Sequence, residues 1–215
     1  MGNYKLVMFD MDGTLINGRG IFVIAEKKGF KDELIRLIKH EKIDYYQRSI
    51  EIAKLSKGYT TKEYLEIFRK IPINNNVEET VKKLKEKNIK TAISTDSYQI
   101  LANDLKERLG IDFAFANSLI INKDIITGDL EIHNKELTKD FYSGWTYSIC
   151  KSCVLEQLCK DLNIPIEESI AVGDGKVDIG MLKRAGLGIA FNASEEVRKN
   201  ADVVTEDMKK ILEYI

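Results

Sequence analysis

Two carboxylates two positions apart, Asp10 and Asp12, follow a short apolar run from Tyr4 to Phe9 and precede Gly13. In extended backbone, residues two apart point the same way, so a strand ending here aims both acids into the crevice beyond it. A second apolar run ends in Ile93-Ser94-Thr95-Asp96 just before a helical pattern. Hydroxyls and free backbone N–H groups in that position can hold phosphate oxygens. Lys151 opens another helical pattern and can neutralise both a phosphate and clustered carboxylates. Val172-Gly173-Asp174-Gly175-Lys176-Val177-Asp178 is a strand running into a glycine-rich turn with two further acids, one of them placed to bind a cation. Acids gathered in one crevice repel unless a counter-ion is present, so either Mg²⁺ and Lys151 hold this set together or the acids are not together.

Each motif alone has a plainer explanation. D-x-D-G satisfies turn preferences, Ser-Thr-Asp is a good helix cap, and a single lysine is ordinary surface. Their combination points to chemistry.

The elements that must position these residues follow an alternating pattern. Strands are expected at 4–9, 89–94, 169–173, 187–191 and 202–205, and helices at 77–87, 98–109, 151–162, 177–185, 194–200 and 207–214. That alternation predicts an α/β, doubly wound, mostly parallel Rossmann-like sheet. Two strand-like runs, Phe113 to Ile121 and Ile125 to Ile132, flank Asn122-Lys123-Asp124 as a hairpin that either extends the sheet or covers the site. From Ile21 to Lys70 the periodicity is helical and no strand is evident, and Pro72 with Asn74-Asn75-Asn76 closes the segment. This predicts a small helical cap, 17–73, inserted into a core made of 1–16 and 74–215.

Lys plus Arg total 33 against 34 for Asp plus Glu, so no global field attracts nucleic acid or a membrane surface. No stretch suits a bilayer span, and the N-terminus lacks the pattern of a secretory signal, so a cytoplasmic protein is expected. Cys150, Cys153 and Cys159 are odd in number and are expected as reduced thiols. Zinc would need a second ligand pair, which neither His40 nor His133 supplies.

Taken in order, D-M-D-G-T-L, I-S-T, the lysine and G-D-G-x-x-D resemble the four motifs of the haloacid dehalogenase superfamily of phosphatases. The helical insert is similar to the cap of its phosphoserine phosphatase-like branch, and so are Phe113 to Asn117, Thr127-Gly128-Asp129 and Gly173 to Ala190. The resemblance implies a hydrolase of small phosphorylated metabolites with Asp10 as nucleophile and Asp12 as general acid and base, Asp12 also offering its carbonyl to the metal. It implies that Ser94 and the N–H of Thr95 hold phosphoryl oxygens and that Lys151 neutralises the transferring group. Asp174, with Asp10 and Asp12, would ligate Mg²⁺, and Asp178 would orient Lys151 or a metal-bound water.

The departures lie where the organic part of a substrate would sit. Arg19 stands where the branch places a glutamate that holds an ammonium, and Ile52 or Ala53 stands where it places a carboxylate-reading arginine, with Arg48 off register. Thr95-Asp96 replaces two glycines and Val177 an asparagine. Arg19 is therefore the expected reader of an anionic group on a substrate other than phosphoserine. Phosphoserine hydrolysis proper, phosphotransfer to a small alcohol and a non-catalytic phospho-ligand module are the alternatives.

Overall fold

A computed structural model describes residues 3–40 and 43–215; residues 1, 2, 41 and 42, which fall inside the core and insert spans expected above, lie outside them. Seven strands form one sheet in the order β4-β3-β2-β1-β5-β6-β7, where β1 is Leu6–Phe9, β2 Lys90–Tyr98, β3 Phe113–Asn122, β4 Ile125–Glu131, β5 Ser169–Gly173, β6 Leu187–Phe191 and β7 Val203–Thr205. All pairs are parallel except β3 with β4. Every residue of β1, β5 and β6 is buried, as expected of parallel strands covered on both faces.

Two apolar clusters flank the sheet. Leu6, Met8, Ala171 and Ala190 face Val154, Leu155 and Leu158 of helix α7 (Lys151–Asp161) and Met181 and Leu182 of α8 (Ile179–Arg184). Val7, Phe9, Ile93 and Ile170 face the opposite way, against Val81 and Leu84 of α5 (Val77–Glu86) and Leu101 and Leu105 of α6 (Gln99–Leu109). Alternate residues of one strand thus serve opposite cores, which requires helices on both sides.

Between β1 and α5 the chain forms four helices, α1 Gly20–Lys28, α2 Lys31–Ile38, α3 Tyr45–Lys54 and α4 Thr61–Phe68. Helix α4 starts where Thr60 and Glu63 satisfy each other's free N–H groups: Glu63 N–H donates to Thr60 Oγ1 at 3.1 Å and Thr60 N–H to Glu63 Oε2 at 2.8 Å.

The β3–β4 hairpin extends the sheet at its edge and also props this helical insert. Gly58 N–H donates to Ile126 O, Ile126 N–H to Tyr59 O, and Thr61 N–H to Asp124 O. The hairpin turns on Lys123 and Asp124, both at positive φ (47° and 71°), the pairing that a two-residue turn matching strand twist requires.

Three expectations differ in detail. β2 continues to Tyr98, with an irregular register between Ser94 and Tyr98. The last element, Met208–Glu213, is a 3-10 helix, and α9 spans only Glu195–Arg198. No helix among the described residues is long and apolar enough to cross a membrane.

Candidate active site

Strand register assembles the site. Phe9 pairs with Ile93 on one side and Val172 on the other, so the next residues, Asp10, Ser94 and Gly173, emerge side by side at the carboxyl edge of three parallel strands. From β1 the chain moves outward through β2 to β3, whereas β5 returns on the other flank. The crevice beside β1 is therefore the switch point at which open α/β sheets bind ligands.

Lys151, the first residue of α7, reaches into this crevice. Its Nζ donates to Asp10 Oδ1 at 2.5 Å and to Asp178 Oδ1 at 2.6 Å, with all three side chains buried. Asp178 is fixed in turn because its other oxygen accepts Gly175 N–H at 2.9 Å. Asp174 accepts a hydrogen bond from Thr14 Oγ1 at 3.3 Å. A Cβ on Gly13 would fall on the Asp174 carboxylate, and Gly13 has φ +88°, so the first turn admits only glycine there.

Asp10, Asp174 and Asp178 can each present a carboxylate oxygen within 4.8 Å of the others. Burial pushes Asp10 well above the usual carboxylate range, and Asp178 and Asp174 add to the rise despite Lys151. Burial and Asp178 likewise raise Asp174. Burial alone would lower Lys151, but Asp10 and Asp178 outweigh it and hold the ammonium charged. One lysine leaves this acid cluster short of positive charge, and its all-oxygen donor set suits a hard divalent cation such as Mg²⁺.

Asp12 stands apart from that cluster. Its Oδ1 accepts Gly20 N–H at 2.5 Å, and burial, only partly opposed by that bond, lifts its pKa from 3.8 to about 7. A carboxyl group poised there can give and take a proton near neutrality.

Midway along β2, where its register becomes irregular, Ser94 and Thr95 are fully buried. Ser94 Oγ has no hydrogen-bond partner among the described residues. A buried hydroxyl without a partner is costly, and an arriving oxyanion would satisfy it. The Thr95 hydroxyl oxygen accepts a hydrogen bond from Ser97 N–H at 3.2 Å, which leaves its own proton free to donate.

A cavity of about 410 Å³ opens above these residues, lined on the core side by Asp10, Asp12, Asp96 and Asp174 and on the insert side by Arg19, Arg48 and Ile52. Its remaining wall includes Tyr147 and Ser148, from an irregular stretch before α7 that carried no legible signal. That wall is tied to the insert by Tyr46 N–H to Thr146 O at 3.2 Å and Ser49 Oγ to Ser148 Oγ at 3.1 Å. Tyr45 packs on Trp145 and Tyr147, with ring centroids 5.6 and 4.9 Å apart. Asn117, fully buried, supports the same wall. Its Nδ2 donates to Asp96 O at 2.7 Å and Ser148 Oγ at 2.9 Å, and its Oδ1 accepts His133 N–H at 3.0 Å.

One expectation is corrected here: Cys150 and Cys153 are not separate thiols but form a disulfide, while Cys159 is free and buried. The two residues share the first turn of α7, which brings their Cα atoms to 5.2 Å, within bonding range. Cys150 is the N-cap, its sulfur accepting Cys153 N–H at 3.3 Å. The disulfide thus brackets Lys151.

A parallel sheet with an acid pair at β1, a lysine on α7 and an acidic turn after β5 defines a hydrolase of the haloacid dehalogenase-like family, whose model matches residues 4–186. The chain belongs to that family. Within it the chain is similar to the phosphoserine phosphatase of Methanocaldococcus jannaschii, 35% identical over 98% of this chain and 97% of that protein. It is also similar to the phosphoserine phosphatase of Campylobacter jejuni subsp. doylei, 30% identical over 98% and 99%. A solved structure of a phospho-aspartyl intermediate analogue of phosphoserine phosphatase superposes with TM-score 0.83, 34% identity and 99% coverage of both chains. A substrate-bound phosphoserine phosphatase gives the same TM-score at 33% identity, covering 99% of this chain and 98% of the other.

Proposed function

We propose that this protein is a Mg²⁺-dependent phosphatase that hydrolyses a small phosphomonoester through an aspartyl-phosphate on Asp10. The observation that carries this reading is the buried ion triad, in which Lys151 is held between Asp10 and Asp178, two acids that line the cavity.

In the first step an Asp10 carboxylate oxygen attacks phosphorus, the ester P–O bond breaks, and the departing alkoxide takes a proton from Asp12. In the second, water attacks the same phosphorus, Asp12 takes back a proton, and the bond between phosphorus and Asp10 breaks. Ser94 Oγ and the Thr95 N–H hold phosphoryl oxygens, and Lys151 balances charge on the transferring group, which is what phosphoryl transfer chiefly requires. Asp10, Asp174 and the Asp12 carbonyl would hold Mg²⁺, which supplies further neutralisation of the phosphoryl oxygens. Asp178 positions Lys151.

The helices of residues 17–73 act as a cap over a core of 1–16 and 74–215, excluding bulk water from the reacting group. The substrate is a small phosphorylated metabolite. Arg19 in the cavity lining favours an anionic group on it over the ammonium of phosphoserine.

Phosphate release from a panel of phosphorylated metabolites, with Mg²⁺ and with chelator, tests the reading. Mg²⁺-dependent release that disappears in Asp10→Asn is expected. Release that persists in Asp10→Asn would exclude Asp10 as nucleophile, and phosphate appearing only on an added alcohol would mark a phosphotransferase.

A further inference from the structure

The sequence has seven arginines. Arg36, Arg69, Arg108, Arg184 and Arg198 each pair with a carboxylate. Arg19 and Arg48 have no such partner among the described residues, and both line the cavity. Arginine seldom goes unpaired in a concave, partly desolvated place unless something else supplies the anion.

Arg48 is already arranged to receive one. Its guanidinium carbon lies 4.9 Å over the Tyr45 ring, and Nη2 donates to His40 O at 3.0 Å. Its Nε is buried without a partner among the described residues. A guanidinium held flat by a ring and a carbonyl, with donors to spare, is preorganised for an oxyanion.

The polarity of the cavity agrees. The core side of the cavity contributes Asp10, Asp12, Asp96, Asp174 and Asp178 together with Lys176, whereas the charged residues contributed by the helical insert are Arg19 and Arg48. The insert also contributes Ile21, Phe22, Ile38 and Ile52 to the lining, which includes Tyr147 as well. Arg19 stands near enough to Asp12 and Asp174 to oppose their rise in pKa, whereas Arg48 lies over Tyr45 on α3. A ligand with its phosphate on the acidic floor therefore has apolar residues and the Arg48 guanidinium available elsewhere in the cavity.

We propose that Arg48, assisted by Arg19, selects a phosphomonoester whose apolar or aromatic body carries a second anionic group, such as a carboxylate. This rests on the phosphatase reading for the location of the phosphoryl end. Arg48 is the determinant of specificity at the other.

The test uses the full chain with Mg²⁺ and a matched series of phenyl phosphate, para-carboxyphenyl phosphate and para-(aminomethyl)phenyl phosphate. The carboxylate ester should exceed phenyl phosphate in kcat/KM by about tenfold or more, the scale of one charge-assisted pair, with the difference in KM. Arg48→Gln should bring that ratio close to one, Arg48→Lys should keep part of it, and Arg36→Gln, on an ion-paired surface arginine, should leave it intact. Thermal midpoints confirm that each variant is folded. Equal kcat/KM for the carboxylate ester and phenyl phosphate, preference for the amine, which would implicate Asp96, or an unchanged ratio in Arg48→Gln would each overturn the proposal. Calorimetry on Asp10→Asn separates the two readings. If wild type hydrolyses none of the esters while Asp10→Asn still binds the carboxylate ester more tightly than phenyl phosphate, the arginine assignment stands and the phosphatase reading falls.

Discussion

The ammonium of Lys151 sits 2.5 Å from the carboxylate of Asp10, with both groups removed from solvent. Deleting one member of a buried pair leaves the other uncompensated, a cost of about 3–5 kcal/mol, and here Asp178 would be orphaned as well. Lys151→Met should therefore lower the free energy of unfolding by that order and reduce turnover by about 10²–10³-fold or more. Denaturant titration and steady-state rates on the same preparation check both. A variant with wild-type stability would show that the pair does not hold the crevice together.

Gly173 is fixed by the same cluster. A Cβ there would lie 2.5 Å from the Cβ and Cγ of Asp178, closer than packing permits, and both sit on backbone that cannot yield cheaply. Gly173→Ala should cost about 1–3 kcal/mol and should displace Asp178 from Lys151. Expected with it is a fall in kcat larger than the change in KM, read from initial rates over a substrate series. Unchanged kcat would contradict the role given to Asp178.

The raised acids set the sign of a pH effect. Asp12 moves from 3.8 to about 7, and Asp10 and Asp174 also rise, all chiefly through burial. Between about pH 4 and 7 the folded protein holds protons that the unfolded chain has lost, so the contribution of these groups to stability declines as pH rises. Glu63, lowered to about 2 by Lys28 and Thr60, and Glu79, lowered to about 2 by Lys209 and Lys83, act in the opposite sense, but below that window. Metal-free protein should show a falling thermal midpoint from about pH 5 to pH 8, and Mg²⁺ should raise the midpoint more at the alkaline end, because it binds the deprotonated acids. Melting curves with Mg²⁺ and with chelator decide it; a midpoint that climbs through this window without metal would refute the electrostatic account.

Asn117 joins three otherwise separate pieces of the wall. Asn117→Ala leaves the Asp96 carbonyl, the Ser148 hydroxyl and the His133 N–H short of a partner, which should cost about 2–4 kcal/mol. Because Asp96 and Ser148 line the cavity, KM should rise more than kcat falls. Equal effects on the two constants would mean that the wall does not shape binding.

What the sequence made legible follows from how local each signal is. Asp10, Asp12, Asp174 and Asp178 stand out because acids at strand ends conflict with simple burial, and parallel register alone then brings Asp10 next to Ser94 and Gly173. Lys151 resembles any surface lysine until its order among the other motifs is considered, since α7 delivers it across the sheet from a distant part of the chain. The segment between β4 and α7 has neither helical nor strand periodicity, so Tyr147, Ser148 and their ties to Ser49 and Asn117 were invisible. These contacts are made between residues 31 to 99 positions apart. The Cys150–Cys153 bond was misjudged because an odd cysteine count argues against a complete disulfide framework but says nothing about two sulfurs within one helical turn.

The most direct measurement is acid-quenched, single-turnover labelling with a substrate carrying radioactive phosphate, followed by peptide mapping. Label on the peptide containing Asp10, released by hydroxylamine as an acyl phosphate should be and absent from Asp10→Asn, is the predicted result. Phosphate release without any labelled protein, or label that survives in Asp10→Asn, would contradict the assignment of Asp10 as nucleophile.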